Sequence, residues 1–116
     1  MIDTPPTLPD DSGIPLPTRE LAEIPAVEVI TRAAVMLMSA AAEKLGLADG
    51  GEQYEDRDEA RKLITALAGL YAASADELGM HRQPIRTAVK GLQKAFREAS
   101  PYPDEPGQGP GEKLVH

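Results

Sequence analysis

The sequence predicts an all-α protein, a small three-helix bundle in which a long apolar helix packs on an antiparallel helical hairpin. Apolar side chains recur three and four positions apart in three segments, which is the repeat of an amphipathic helix. Glycine and proline separate the three segments. Residues 24–100 are therefore predicted to form one domain, and the proline- and glycine-rich stretches 1–23 and 101–116 are predicted to be disordered tails.

The first predicted helix spans residues 25–45, because Pro25 suits a first helical turn and Gly46 suits the position after the last one. Its core face carries Val27, Ile30, Ala34, Leu37, Met38, Ala41 and Leu45. A second apolar line, here called the outer line, consists of Val29, Ala33, Met36 and Ala40. Two neighbouring helices can cover only one face, so we expect a second copy of the chain to cover the outer line and form a homodimer. Coverage by the N-terminal segment, or an alanine-rich surface left in water, are the alternatives.

The second and third helices are predicted at residues 57–78 and 82–99 and form the hairpin. Asp56 and Glu59 have the spacing of a capping box at the start of the second helix. Gly79 suits the position after its end, and Pro84 suits the first turn of the third helix. The apolar stripes consist of Ala60, Leu63, Ile64, Leu67, Leu70, Tyr71, Ser74 and Leu78 in one arm, and Ile85, Ala88, Val89, Leu92, Phe96 and Ala99 in the other.

The loop over residues 48–57 is rich in carboxylates, which raises the question of a calcium site. Its acids lack the alternating Asp-x-Asp-x-Asp-Gly order and the final glutamate of an EF-hand loop. We interpret it as a solvated loop whose acids favour the N-terminus of the following helix, and we predict no metal.

The third helix carries a basic stripe, although the chain as a whole has a net charge of −7. The stripe consists of Arg82, Arg86, Lys90, Lys94 and Arg97. Such a stripe can follow the phosphates of a nucleic acid or bind an acidic protein. No aromatic residue interleaves it to stack on bases, so a solvated face without a ligand is the third interpretation.

The residues needed for catalysis are largely absent from the sequence. The chain has no cysteine and two histidines, His81 in the predicted turn and the terminal His116. No glycine-rich phosphate loop or serine nucleophile elbow is present. We therefore expect no enzyme, no catalytic residue and no cofactor. The sequence shows neither a signal peptide nor an apolar stretch long enough to span a bilayer, so a cytoplasmic protein without membrane contact is expected.

The domain resembles the bacterial family of unknown function labelled DUF1844. The resemblance rests on the segment Asp58-Glu59-Ala60-Arg61-Lys62-Leu63-Ile64 and on the third helix, from His81-x-x-Pro84-Ile85-Arg86 to Leu92-Gln93-x-Ala95-Phe96-Arg97-Glu98-Ala99-Ser100, which is similar to the actinobacterial branch. Many members carry Asn-Leu-Thr-x-Glu-Glu at the second turn, where this chain has residues 78–84 as Leu-Gly-Met-His-Arg-Gln-Pro. The resemblance implies no catalytic residue. It also implies a ribosome-related role for the basic stripe, because genes of the family often lie beside those for a translation initiation factor and ribosomal proteins.

These observations predict a non-enzymatic interaction protein that is homodimeric through its first helix and that binds a protein partner the sequence does not name. The alternative is an RNA- or ribosome-associated accessory factor that uses the basic stripe.

Overall fold

The computed structural model describes residues 21–115, and all regular structure in this range is helical. Helix α1 spans Ala26–Lys44, α2 spans Arg57–Ser74 and α3 spans Arg82–Ala99. Helix α2 contacts both of the others, and α1 also contacts α3. Arg61 near the start of α2 lies over the ring of Phe96 near the end of α3, so the two arms of the hairpin are antiparallel. The predicted three-helix bundle is confirmed.

The core is mainly aliphatic, as the composition requires. Its largest fully buried side chains are Ile64 and Leu67 of α2, Leu78 of the connection and Val89 of α3. Every residue assigned to the core face of α1 packs in or against this core. The buried positions in α2 and α3 follow the predicted stripes except at Ala68 and Gln93, so the helical repeat identifies most of the packed faces.

The ends that join α1 to α2 are closed by hydrogen bonds from the backbone and from one side chain. Gly46 adopts a φ of 71°, and the N–H groups of Gly46 and Leu47 donate to Glu43 O (3.0 Å) and Ala42 O (3.1 Å). These are the two bonds of a Schellman motif. The Asp56 carboxylate accepts from the Glu59 N–H at 3.2 Å and caps α2. Both predicted helix boundaries are thus present in this connection.

The connection between α2 and α3 differs from the prediction. Helix α2 ends as an α-helix at Ser74 rather than Leu78, and two 3₁₀ turns follow, Ala75–Glu77 and Gly79–His81. The Ser74 hydroxyl donates to the Leu70 carbonyl. Such a side-chain bond competes locally with the backbone hydrogen bonds of the α-helix. Gly79 has the predicted positive φ of 55°, but it opens the second 3₁₀ turn instead of closing an α-helix.

The C-terminal part of the chain also differs from the prediction. The composition of residues 101–116 predicts a disordered tail. Residues 104–115, here called the C-terminal segment, instead fold back onto α2 and α3, and Val115 is buried. The predicted N-terminal tail, residues 1–23, lies outside the described residues except for its last three.

Candidate interaction surfaces

The outer line of α1 lies away from the core. Val29 is 38% exposed, and Ala33, Met36 and Ala40 are half-buried. None of these four belongs to the described side chains that pack in or against the core cluster. Val35, further around the same helix, is 50% exposed. Helix α1 therefore presents apolar side chains on a side that the other described helices leave uncovered.

The basic stripe of α3 is less uniform than the sequence suggests. Lys90 and Lys94 are exposed, and the Lys94 ammonium lies 4.0 Å from Glu98. Arg82 is exposed and lies 3.7 Å from Asp76. Arg86 is half-buried. Arg97 is bound within the chain by the C-terminal segment, and its side chain is 36% exposed.

The C-terminal segment occupies a groove between α2 and α3, here called the α2–α3 groove. Gln93 of α3 is only 5% exposed, and its side-chain amide donates to Pro110 O at 3.1 Å and to Val115 O at 3.0 Å. Gly111 lies against Ala68 of α2, which is fully buried. A Cβ added at Gly111 would approach the Ala68 Cβ to 2.5 Å, so only glycine fits at this point of contact.

Glu112 joins the segment to α3 and folds the segment on itself. Both of its carboxylate oxygens accept from Arg97 Nη2, at 3.0 and 3.2 Å. Its Oε1 also accepts from the N–H groups of Gly107 (2.9 Å) and Gly109 (3.1 Å). Burial alone raises the pKa of the Glu112 carboxyl, but the bonds from Arg97, Gly109 and Gly107 outweigh it, and the pKa lies below its ordinary value.

A second ion pair holds the beginning of the segment against α2. Arg61 Nη2 donates to both carboxylate oxygens of Asp104, at 2.9 and 3.2 Å, while its guanidinium lies 4.9 Å from the centre of the Phe96 ring. Arg97 Nη1 donates to the Asp104 carbonyl at 2.7 Å. One arginine from each arm of the hairpin therefore binds the same residue of the segment.

The remaining candidates stay separate from these surfaces. His81 is exposed in the second 3₁₀ turn. A shallow depression is lined by Glu52, Glu55 and Asp56 of the acidic loop and by Asp58 in the first turn of α2. Within residues 21–115, no group of three or more acidic or histidine side chains is placed to hold a metal ion. The helices of this range are also too short or too polar to cross a membrane.

Comparison with known protein families identifies the family of the helical domain. The family model described as a domain of unknown function (DUF1844) matches residues 26–98. The chain belongs to the DUF1844 family. No curated protein and no solved structure matches the chain. The DUF1844 match covers α1, α2 and all but the last residue of α3, and the C-terminal segment lies beyond it.

Sequence reasoning missed the residues that form the α2–α3 groove. One signal was available: Gln93 lies four residues after Val89 and three before Phe96, so a polar amide occupies a position beside the core stripe. The glycines at 107, 109 and 111, with Pro110 between the last two, are a second signal. Such a pattern is typical both of a tightly turned, ordered backbone and of a flexible tail. Composition alone does not distinguish these two cases, because the difference depends on contacts with distant helices.

Proposed function

We propose that this DUF1844 protein is a non-enzymatic helical interaction protein that forms a homodimer through the outer line of α1. The observation that supports the proposal is the position of Val29, Ala33, Met36 and Ala40, which lie off the core on a helix whose other face is fully used. A domain of this size buries a smaller fraction of its surface than a large domain does, so covering an apolar line adds stability. The small side chains of Ala33 and Ala40 allow two helices to approach closely.

The test is the mass of the chain in solution, measured by size-exclusion chromatography with light scattering. The wild-type chain is expected at twice the monomer mass of 12.4 kDa. Met36→Glu adds a charge to the outer line and is expected to give a folded monomer, because an unpaired charge is costly to bury in an interface. Ser39→Glu adds the same charge to the exposed polar side of the same helix and is expected to stay dimeric.

A wild-type chain that stays monomeric at high concentration refutes the dimer. A dimer that survives Met36→Glu shows that another surface forms the interface. Circular dichroism of both variants is expected to show intact helices, because the two positions lie on the outside of α1.

The absence of cysteine is compatible with a reducing compartment, and a cytoplasmic location is part of the proposal.

We propose as the second candidate an RNA- or ribosome-associated factor that uses the basic stripe. The observation in its favour is the pair Lys90 and Lys94, which are exposed one helical turn apart on α3. Phosphate contacts of this type release counterions, so binding must weaken as salt rises.

The corresponding test uses a single-stranded RNA oligomer and measures binding across a salt series. Lys90→Glu combined with Lys94→Glu is expected to weaken binding and flatten its salt dependence. Lys44→Glu combined with Lys62→Glu changes the net charge equally but lies outside the stripe, and it is expected to have a smaller effect. Equal effects of the two pairs would mean that only the total charge matters and would refute a specific role of the stripe.

A further inference from the structure

The C-terminal segment is bound in the way that a peptide ligand is bound by a receptor. Its contacts with the α2–α3 groove are made largely through its backbone: Gln93 binds two of its carbonyl groups and Arg97 binds a third, that of Asp104. Main-chain contacts of this kind supply affinity in many peptide-binding sites, while separate positions supply specificity. Here the specific positions are the glycine against Ala68, the acid bound by Arg97 and the buried Val115.

The segment contributes little to the core itself. Val115 is its one member of the core cluster, Gly109 and Pro110 are also buried, and Leu114 is 50% exposed. The linker before it, Pro101 to Pro103, is exposed throughout, and Tyr102 within it is 92% exposed. The domain matched by the family model ends at residue 98, before the linker begins. The segment is thus a tethered addition to a helical domain, joined by a stretch that makes no use of the groove.

We propose that the α2–α3 groove is a peptide-binding site, and that the C-terminal segment is its intramolecular ligand. The site takes an exposed segment of a partner protein with the chemistry Gly-Pro-Gly-Glu followed, three residues after the acid, by an aliphatic side chain. The glycine is required by the approach to Ala68, the acid pairs with Arg97, and the aliphatic side chain fills the position of Val115. The tether makes the chain's own segment a competitor at high effective concentration, so a partner binds only when the segment is displaced.

The test offers the groove a synthetic peptide after the tethered segment has been disabled in the full chain. Gly111→Val removes the fit against Ala68, and Glu112→Lys places a like charge beside Arg97; both leave the groove itself unchanged. A fluorescent peptide with the wild-type sequence of residues 104–116 is titrated with each chain, and its anisotropy is measured. We expect binding to both opened chains to be at least about tenfold tighter than to the wild-type chain, since the competitor is gone.

Two matched controls define the site. Adding Gln93→Leu to either opened chain is expected to weaken peptide binding by at least about tenfold, because two hydrogen bonds to the peptide backbone are lost. A peptide that carries valine at position 111 is expected to bind neither opened chain. Circular dichroism of each variant verifies that the three helices remain folded.

Three outcomes overturn the proposal. The first is that the peptide binds neither opened chain although both are folded. The second is that both opened chains lose their helices, which would make the segment an integral part of the fold rather than a ligand. The third is that the wild-type chain forms a dimer that Gly111→Val dissolves and Met36→Glu leaves intact, which would make a second copy of this chain the occupant. If only Gly111→Val unfolds, the Glu112→Lys chain carries the test.

Discussion

Replacing Gln93 by leucine removes the one side chain that binds two carbonyl groups of the C-terminal segment. Leucine has a similar size, so the change deletes the two N–H donors without opening a large cavity. Pro110 O and Val115 O belong to buried residues and would lose these donors, 3.1 and 3.0 Å away. A buried acceptor left without a partner costs about 1–3 kcal/mol, so the docked segment would carry a penalty of about 2–6 kcal/mol.

The remaining contacts are of about the same size as this penalty, so little net stability of docking is left. The ion pairs of Arg61 and Arg97 are partly exposed, and such pairs contribute about 0–1 kcal/mol each. Burial of Val115 contributes about 1.5–3 kcal/mol. We therefore expect the segment to detach in Gln93→Leu. The free energy of unfolding then falls only by what docking contributed, about 1.5–5 kcal/mol from Val115 burial and the two ion pairs together, while the helices persist.

Amide hydrogen exchange measures this directly, because the N–H groups of Leu114 and Val115 both donate to Gly111 O at 2.9 Å. Their protection is expected to fall at least about tenfold in Gln93→Leu. The matched control is Gln83→Leu in the first turn of α3, where the glutamine is exposed, and its free energy of unfolding should change by less than about 0.5 kcal/mol. Unchanged protection of the two amides in Gln93→Leu would refute the assignment of Gln93 as the holding residue.

Three further predictions concern charge, backbone and capping. The pKa of Glu112 is lowered in the folded chain, so the ionised carboxylate stabilises docking fully at pH values above the ordinary pKa of 4.5. This contribution is lost as the pH falls through the lowered pKa. An acid titration followed by amide signals should show the loss in the wild-type chain but not in Glu112→Gln. Gly107→Ala should cost about 1–2 kcal/mol for its positive φ, and Gly111→Ala should cost more in denaturant unfolding, since its Cβ also meets Ala68. Asp56→Ala should cost about 1 kcal/mol in the same assay through loss of the helix cap.

Each of these has an outcome that contradicts it. Identical acid titrations in wild type and Glu112→Gln would show that another carboxylate controls docking. Equal costs at the two glycines would show that the segment moves away from α2 without loss. Asp58→Ala, which removes an exposed acid from the same first turn, serves as the control for the cap, and an equal cost there would reduce the cap to a general charge effect.

The elements that local sequence determines were predicted well, and those that depend on distant contacts were not. The core faces of all three helices follow from the helical repeat, and the closure at Gly46 follows from the lack of a Cβ. The end of α2 lies four residues before the predicted one, because the apolar repeat continues to Leu78, which is buried directly after a 3₁₀ turn. Both helical geometries place Leu78 in the core, so hydrophobicity does not distinguish them.

The candidate site was not predictable for a different reason. Arg97 belongs to a row of basic residues whose helical spacing is typical of a solvent-exposed face. Its partner Glu112 lies fifteen residues later, in a stretch whose composition is typical of a flexible tail. Which base of the stripe binds the C-terminal segment depends on where the chain turns after α3. The outer line of α1, by contrast, follows from periodicity alone, and its role as an interface stays a prediction.

The distribution of tyrosines gives the protein an intrinsic optical reporter. The chain has no tryptophan, and of its three tyrosines Tyr71 is buried in the core whereas Tyr54 and Tyr102 are 58% and 92% exposed. Near-ultraviolet circular dichroism in the tyrosine band therefore reports the packing of the helices at one site. Tyr102 precedes the docked segment but lies in solvent, so its contribution is small whether the segment is bound or released. The tyrosine band therefore follows unfolding of the bundle in unlabelled protein, and it is expected to stay unchanged when only the segment is released.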